Sequence, residues 1–231
     1  MGAAKAAPIL SLLTGIKKGV TMFLSSKKER SAMSQEATKK KKQLMMLLFP
    51  VYKPLELPEG CAITHYRGPE DIPAWIELCK NGLAPEDAGT DFFDACITKF
   101  PSIDPLQDIL FLEENGVKVG TVTAVNDWGN GVGRIHMVSV ANACRGKGYS
   151  LLLSRAAENK LAACGVKSAA LTTDAWRKAA CKCYLRSGWY PVNHDTDMPE
   201  RWGAVLKDLG IDSVQMYTET GEKDIVLYAA K

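Results

Sequence analysis

The sequence predicts a mixed α/β fold, in which helices pack on a central twisted sheet. Short apolar segments typical of strands alternate with segments whose apolar residues recur at helical spacing. Asn115-Gly116 separates two apolar runs, which is the pattern of a β-hairpin turn. A glycine directly follows three of the helical segments, at Gly165, Gly188 and Gly210.

The predicted elements follow the order β-α-α-β-β-β-α-β-α-β-α-β. The strands cover residues 61–67, 108–113, 117–125, 134–140, 168–173, 189–192 and 224–229. The helices cover residues 69–83, 90–100, 149–164, 176–187 and 199–209. Ile72, Trp75 and Ile76 define the apolar face of the first helix, and Ala157 and Leu161 belong to that of the third.

The chain divides by charge into two parts. Residues 1–48 contain ten Lys and Arg but only two acids, so they carry +8 and leave −5 for the remaining 183 residues. We expect residues 1–48 to be a basic, poorly ordered N-terminal extension and residues 49–231 to be the folded domain. A targeting or membrane-surface helix is the alternative for the extension. The mildly acidic domain suits a cationic amine partner.

Other features exclude several classes of function. Seven cysteines without a C-x-x-C pair, and three histidines far apart in sequence, indicate reduced thiols in a cytoplasmic protein and no metal site. The run Lys39 to Lys42 lacks interleaved aromatic residues, so we expect a linker and no nucleic-acid partner. No apolar run is long enough to span a membrane.

A strand-loop-helix junction at residues 138–150, with the sequence VSVANACRGKGYS, is the most informative segment. The N-terminus of a helix has free backbone N–H groups and a partial positive charge. Glycines allow that backbone to approach a ligand closely. The junction lacks the G-K-[ST] ending of a nucleoside triphosphate loop and the three-glycine dinucleotide spacing. These features favour phosphate or pyrophosphate, with an ordinary helix start as the alternative.

Arg145-x-x-Gly148-x-Ser150 resembles the signature Q/R-x-x-G-x-G/A of the GNAT superfamily of N-acetyltransferases, although Ser150 replaces the usual Gly or Ala. In that family the loop cradles the pyrophosphate of coenzyme A. Val138-x-Val140 resembles the strand whose backbone pairs with the pantetheine arm. The resemblance therefore implies a GNAT-like acyl-CoA N-acyltransferase fold. The residues that it implies for cofactor binding are Val138, Val140, Arg145, Gly146, Lys147, Gly148, Tyr149 and Ser150.

A second motif follows about 40 residues later. Residues 180–189, ACKCYLRSGW, resemble the GNAT pattern A-x-x-L-Y-x-x-x-G-F. Cys183 stands at the usual Leu, Trp189 at the Phe, and Arg177 at the family's upstream Asn. The resemblance makes Tyr184 the catalytic candidate that donates a proton or a hydrogen bond to the departing thiolate. An aromatic core residue is the alternative.

His136 is the first candidate for the general base. It lies four residues before Val140, where some arylalkylamine-acetylating members have a His, and its ordinary pKa suits a base near neutral pH. A structural strand histidine is the alternative. Arg134 occupies the position where histone-acetylating members carry a Glu base, which argues against that mechanism. Asp127 and Asp174 are other candidates for the base, although residues at such positions are more typical of turns or caps.

The resemblance implies an N-acetyltransferase that moves an acetyl group from acetyl-CoA, without a metal, to a primary amine of a small molecule or peptide. The amine attacks directly in a ternary complex. A non-catalytic acyl-CoA-binding module of the same fold is the alternative, because fold alone does not fix function. A different acyl donor also stays open. A homodimer paired through free sheet edges is compatible with such a fold.

Overall fold

The computed structural model describes residues 42–231. Within this range the strands are β1 (Leu44–Leu48), β2 (Cys61–His65), β3 (Ile109–Glu114), β4 (Val117–Gly129), β5 (Val132–Val140), β6 (Ser168–Thr173), β7 (Tyr190–Pro191), β8 (Ser213–Tyr217) and β9 (Lys223–Tyr228). The α-helices are α1 (Ile72–Cys79), α2 (Thr90–Phe93), α3 (Pro105–Asp108), α4 (Tyr149–Ala163), α5 (Lys178–Ser187) and α6 (Met198–Leu209). A π-helical turn, Asp94–Thr98, extends α2.

Seven strands form the central sheet in the order β2-β3-β4-β5-β6-β1-β7. Its neighbouring strands are antiparallel, except for the parallel pair β5 and β6. Strands β8 and β9 form a separate two-stranded sheet, joined to the end of the large one by a bridge between Val192 and Tyr217. The mixed sheet with flanking helices confirms the predicted fold class.

Strand β1 corrects the predicted boundary at residue 48. Leu44–Leu48 is buried along its whole length and pairs with β6 on one side and β7 on the other. The charge of residues 1–48 set the predicted boundary, and it hid this apolar run, which is buried on both faces of the sheet and so shows no alternation in the sequence. The folded domain therefore includes Leu44. Residues 1–41, the rest of the predicted extension, lie outside the described residues.

The hairpin prediction is confirmed, because Asn115 and Gly116 both have the positive φ of its turn. The helix predicted at residues 69–83 is shorter: a 3₁₀ turn precedes α1, and the chain turns at Gly82, where φ is +113°. Strand β7 is reduced to two residues, and Pro191 has no N–H for a sheet. Helix α3 and strand β8 were not predicted, since four or five residues carry little periodicity.

Helices cover both faces of the sheet. On one face, Leu153 of α4, Tyr184 of α5 and Trp202 of α6 share a core with strand residues such as Ile135. On the other face, residues of α1 and α2, with their π-helical turn, pack against Phe111, Val125 and their neighbours. This arrangement places the start of α4 at the end of β5 and brings α5 alongside. Within residues 42–231, no helix is both long and apolar enough to cross a membrane.

Candidate functional site

Strands β5 and β6 pair over only three residues and then separate. Their parallel ladder runs from Val132 opposite Ser168 to Arg134 opposite Ala170, although β5 continues to Val140. Within the separated part β5 also carries a bulge against β4, and Met137 there has a φ of +51°. The β6-facing backbone of residues 138–140 is thus left without a strand partner in the described structure. An extended ligand could pair with it.

A cavity of about 530 Å³ occupies this opening, which is the size range of small-molecule sites. It is formed by the loop after α1, the outer end of β5, the junction that begins α4, and α5 with its preceding turn. Its lining residues are Asn81, Gly82, Leu83, Val138, Ser139, Val140, Cys144, Arg145, Gly146, Gly148, Tyr149, Ser150, Ser154, Trp176, Arg177, Lys178, Ala179, Ala180, Cys183 and Tyr184. Both sequence motifs therefore meet in one cavity.

The junction before α4 has the backbone of an anion cradle. Gly146 and Gly148 have φ values of +83° and +81°, in the left-handed region that favours glycine. Gly148 is the N-cap of α4, so the first N–H groups of the helix have no partner in the preceding turn. In the described part of the chain, no acceptor is found for the backbone N–H groups of Gly146, Lys147 and Gly148. This set of free donors suits a phosphate or pyrophosphate.

Two polar side chains of the junction bind the protein itself. The Lys147 ammonium lies 2.9 Å from both carboxylate oxygens of Glu114, at the end of β3, and does not line the cavity. The Tyr149 hydroxyl donates to the same carboxylate at 2.5 Å. Hydrogen bonds from Tyr149 and Lys147 hold the pKa of Glu114 below its ordinary value. Glu114, which the sequence analysis did not single out, therefore anchors the cradle to the hairpin.

The loop after α1 connects the two sides of the opening. On the β5 side, Asn81 accepts from the backbone N–H of Asn142 through its side chain and from Arg145 through its carbonyl. On the α5 side, the Arg177 guanidinium donates to the Gly82 carbonyl at 2.6 Å. Arg177, at the position of the family's Asn, thus contacts this loop. The loop carries no sequence motif, so only its position in the fold shows that it is part of the cavity wall.

Tyr184 lies where α5 faces the cavity and is 8% exposed. Its ring packs edge-on against Trp189 at 6.0 Å. Within residues 42–231 its hydroxyl forms no hydrogen bond, and the hydroxyl oxygen is not fully buried. Burial raises the pKa of Tyr184, so the phenol stays protonated at neutral pH. The side chain can donate a hydrogen bond into the cavity.

His136 lies further along β5 and is not among the residues that line the cavity. Its Nε2 donates to the Cys96 carbonyl at 3.1 Å, and its ring contacts Phe100 and Trp128. Burial, together with the charge of Arg134, lowers the pKa of His136 to about 3. The imidazole is therefore neutral at physiological pH, and its protonated form is strongly disfavoured.

The two aspartates considered as alternative bases have structural contacts. Asp127 accepts from the backbone N–H groups of Gly129 and Gly131, which closes the turn between β4 and β5. Asp174 pairs with Arg177 and accepts from Gln43. No group of acidic, histidine or cysteine side chains in the described residues could hold a metal ion.

The sequence model of the Acetyltransferase (GNAT) family matches residues 70–189, slightly more than half of the chain. Both motifs fall within the matched range. Among curated proteins, no match was found.

Solved structures of similar fold were also found. A GCN5-related N-acetyltransferase from Sphaerobacter thermophilus has 22% identity and a TM-score of 0.52, covering 64% of this chain and 47% of that chain. A GCN5-related N-acetyltransferase from Kribbella flavida has 21% identity and a TM-score of 0.46, covering 66% and 55%. AAC(6')-Iy in complex with the bisubstrate analogue CoA-S-monomethyl-acetylneamine has 18% identity and a TM-score of 0.43, covering 55% and 89%. The chain spans about half the length of the first two proteins. The Sphaerobacter structure confirms the predicted GNAT-like fold.

Proposed function

Because this chain belongs to the GNAT acetyltransferase family, we propose that it transfers an acetyl group from acetyl-CoA to a primary amine of a small molecule or peptide. One observation carries the proposal. The opening between β5 and β6 holds a single cavity that is lined by the glycines before α4, by the unpaired edge of β5 and by Tyr184. An anion site, an unpaired strand edge and a hydrogen-bond donor are thus arranged around one cavity.

The cradle suits the pyrophosphate of acetyl-CoA. Free backbone N–H groups from Gly146 to Ser150 and the positive end of α4 would stabilise the phosphate charge. Arg145 lines the cavity, and one of its guanidinium nitrogens donates to the Asn81 carbonyl. The remaining guanidinium donors can reach a phosphate. The Lys147 side chain supports the cradle indirectly through Glu114.

The edge of β5 suits the pantetheine arm. Val138 and Val140 line the cavity, and their β6-facing backbone is unpaired over this stretch. An arm that pairs with this edge would run from the cradle toward the point where β5 and β6 begin to separate. A backbone N–H of β5 could then polarise the thioester oxygen, because a donor aimed at developing charge lowers the barrier.

Direct attack requires few groups from the protein. The neutral amine nitrogen attacks the thioester carbon, the new N–C bond forms, the C–S bond breaks, and the electron pair leaves on sulfur. The amine proton passes to a base or to water. Tyr184 would donate a hydrogen bond to the developing thiolate. Complete proton transfer from this phenol is uphill, because its pKa lies above the ordinary value of about 10 and a thiol has a pKa of about 8.5.

The assignment of His136 as the base stays a prediction. Its contact with Cys96 occupies Nε2, which leaves only Nδ1 to accept a proton. Desolvation in this site also disfavours the imidazolium that a base must become. Water in the cavity is the other route for the amine proton.

Tyr184→Phe tests the proposed role of the phenol and separates an enzyme from a binding module. Loss of one hydrogen bond to a charged group should lower kcat by roughly 10- to 100-fold, while the Kd for acetyl-CoA stays within about twofold. Steady-state kinetics with a panel of primary amines and calorimetry with acetyl-CoA measure both quantities. Tyr217→Phe is the matched control, because Tyr217 is also 8% exposed and packs in a separate cluster.

Equal kcat values for the Tyr184→Phe variant and the unchanged protein would contradict the role of Tyr184. If the unchanged protein binds acetyl-CoA but acetylates no amine in the panel, the non-catalytic acyl-CoA-binding module replaces the proposed function.

A further inference from the structure

Arg134 is a buried cation without an anionic partner. Its side chain extends from β5, and the residue is only 5% exposed. One guanidinium nitrogen donates to Thr172 Oγ1 at 3.2 Å, and the group stacks 4.9 Å from the Trp128 ring. Its Nε is fully buried without an acceptor. Among residues 42–231, no carboxylate forms an ion pair with Arg134.

Such a group is costly unless something neutralises it. A buried charge normally has a counter-charge and a full set of hydrogen bonds, because desolvation is expensive. Burial lowers the pKa of Arg134 to about 10, so the guanidinium is still charged at neutral pH. Thr172 and Trp128 provide one neutral acceptor and one ring face. The fold therefore holds a guanidinium whose Nε is desolvated and lacks an acceptor, which suits recognition of a carboxylate.

The position of Arg134 links it to the proposed reaction. It is the last residue of β5 that pairs with β6, so it stands where the two strands begin to separate, beyond the β5 residues Val138 to Val140 that line the cavity. Arg134 lies six positions before Val140 on β5, a distance of about 20 Å at the usual rise of a strand. A pantetheine arm that starts at the cradle and follows β5 would bring the thioester toward this point of separation.

Arg134 faces the side of the sheet on which α1 and α2 pack. Its partner across β4 is Val125, which belongs to that core. Phe100 and Trp128, both half-buried, lie 5.0 Å apart between their ring centroids and border the same region. His136 completes this aromatic group. A small molecule with a flat apolar part could rest against these rings.

We propose that Arg134 binds the carboxylate of the acceptor, and that the acceptor is a small amine that also carries a carboxylate, as an amino acid does. This inference rests on the proposed function. An acceptor that carried only an ammonium group would be repelled by the guanidinium. A carboxylate next to the amine would neutralise Arg134 and fix the amine near the point where β5 and β6 begin to separate. The guanidinium also stands where histone-acetylating members place a Glu base, so the sign of the local charge is reversed.

Equilibrium binding tests this inference without turnover. The probes are 3-phenylpropionate and its uncharged analogue 3-phenylpropionamide, which lack an amine and cannot be acetylated. We expect the unchanged full-length protein, saturated with coenzyme A, to bind the acid at least about tenfold more tightly than the amide, because hydrogen bonds to a charged group are strong. Equal affinity for the two probes would overturn the inference, and so would the absence of binding by either.

Variants then assign the effect to Arg134. Arg134→Met keeps the length of the side chain, removes the charge, and should abolish the preference for the acid. Arg134→Lys should retain part of it. Arg67→Met is the control, because the Arg67 side chain is 68% exposed and lies outside the site. If Arg134→Met proves unfolded by circular dichroism, the ratio of the Kd values of the acid and the amide for the unchanged protein still tests the inference. A folded Arg134→Met variant that retains the preference would contradict the inference.

Turnover separates the failure of this inference from the failure of the proposed function. L-Phenylalanine and 2-phenylethylamine differ only by the carboxylate. We expect a higher kcat/KM for L-phenylalanine, by about tenfold or more, and a loss of this ratio in Arg134→Met. If 2-phenylethylamine is acetylated as well as L-phenylalanine, the protein is an acetyltransferase and the inference is wrong. If the acid probe binds through Arg134 but no amine is acetylated, the carboxylate site stands and the proposed function fails.

Discussion

At the scale of single residues, His136 shows how its surroundings set the chemistry of a side chain. The sequence places His136 four residues before Val140, where some family members have a His, and an imidazole with its ordinary pKa would suit a base. In the structure its Nε2 donates to the Cys96 carbonyl, and its ring lies among Phe100, Trp128 and the charged Arg134. The same environment that positions the ring also makes its protonation unfavourable.

His136 should therefore weaken the protein in acid. The unfolded chain binds a proton at the ordinary pKa of about 6.5, whereas the folded chain binds it only near pH 3. As pH falls through this window, the free energy of unfolding decreases, on the order of a few kcal/mol, because the unfolded chain gains the proton first. His136→Gln, which can still donate to Cys96, removes this loss. Urea unfolding is measured from pH 8 to pH 4. As pH decreases, the free energy of unfolding of the variant should rise relative to that of the unchanged protein.

Parallel pH curves for the two proteins would contradict this account of His136. Turnover of the same variant at pH 8 tests the predicted base. An unchanged kcat/KM would exclude His136 as the base, whereas a fall of about 100-fold or more would support it.

The predictability of site residues from sequence depended on whether they belonged to a local motif. Gly148 and Tyr184 stand within short patterns, and the structure brings both into one cavity. Glu114 belongs to no such pattern, and Arg134 was noted only as a replacement for the Glu base of other members. Their importance comes from contacts across the sheet, with Lys147 and Thr172 respectively, and such contacts exist only once the strand order is known. Lys147 was predicted to lie beside a phosphate because the sequence does not show that its ammonium pairs with Glu114.

At the scale of elements, β1 was the main element that the sequence did not predict. Strand β1 lies between β6 and β7 although it precedes every other described element in the chain. Periodicity cannot reveal it, because a strand buried on both faces does not alternate. The longer strands and helices, by contrast, were predicted well: β6 has the predicted bounds, and α4 differs by one residue.

Because β1 is central to its part of the sheet, we expect the chain to require it for folding. A truncated protein that begins at residue 42 should fold, whereas one that begins at residue 49 should not. Loss of one large buried side chain costs about 2–5 kcal/mol, and whole domains have only about 5–15 kcal/mol of stability. Met46→Ala alone should lower the free energy of unfolding by about 2–5 kcal/mol, because Met46 is fully buried.

Circular dichroism and thermal melting compare these proteins. A protein that begins at residue 49 and melts cooperatively at the same temperature as the unchanged chain would show that β1 is dispensable. Phe49→Ala is a control for the point variant, because Phe49 immediately follows the strand and is 37% exposed.

At the scale of the whole molecule, the site depends on segments far apart in sequence. The cavity uses the loop after α1, the outer end of β5, the start of α4 and the turn before α5. Hydrogen bonds from Arg145 and Arg177 to residues 81 and 82 connect these parts. The sequence motifs identified the fold and predicted the residues of the proposed cofactor site. The proposed acceptor site had no pattern, because its rings and its buried guanidinium come from separate elements.

The central claim is that the cradle before α4 binds acetyl-CoA, and calorimetric titration of the full-length protein tests it most directly. Gly148→Glu places a carboxylate in the cradle, whereas Gly165→Glu is the matched control. Both glycines have a positive φ, and an added Cβ has no neighbour within 4 Å at either, but Gly165 follows the opposite end of α4. We predict micromolar binding to the unchanged protein and to Gly165→Glu, and a loss of at least about 100-fold for a folded Gly148→Glu. Equal binding by all three proteins, or no binding by the folded unchanged protein, would contradict the account.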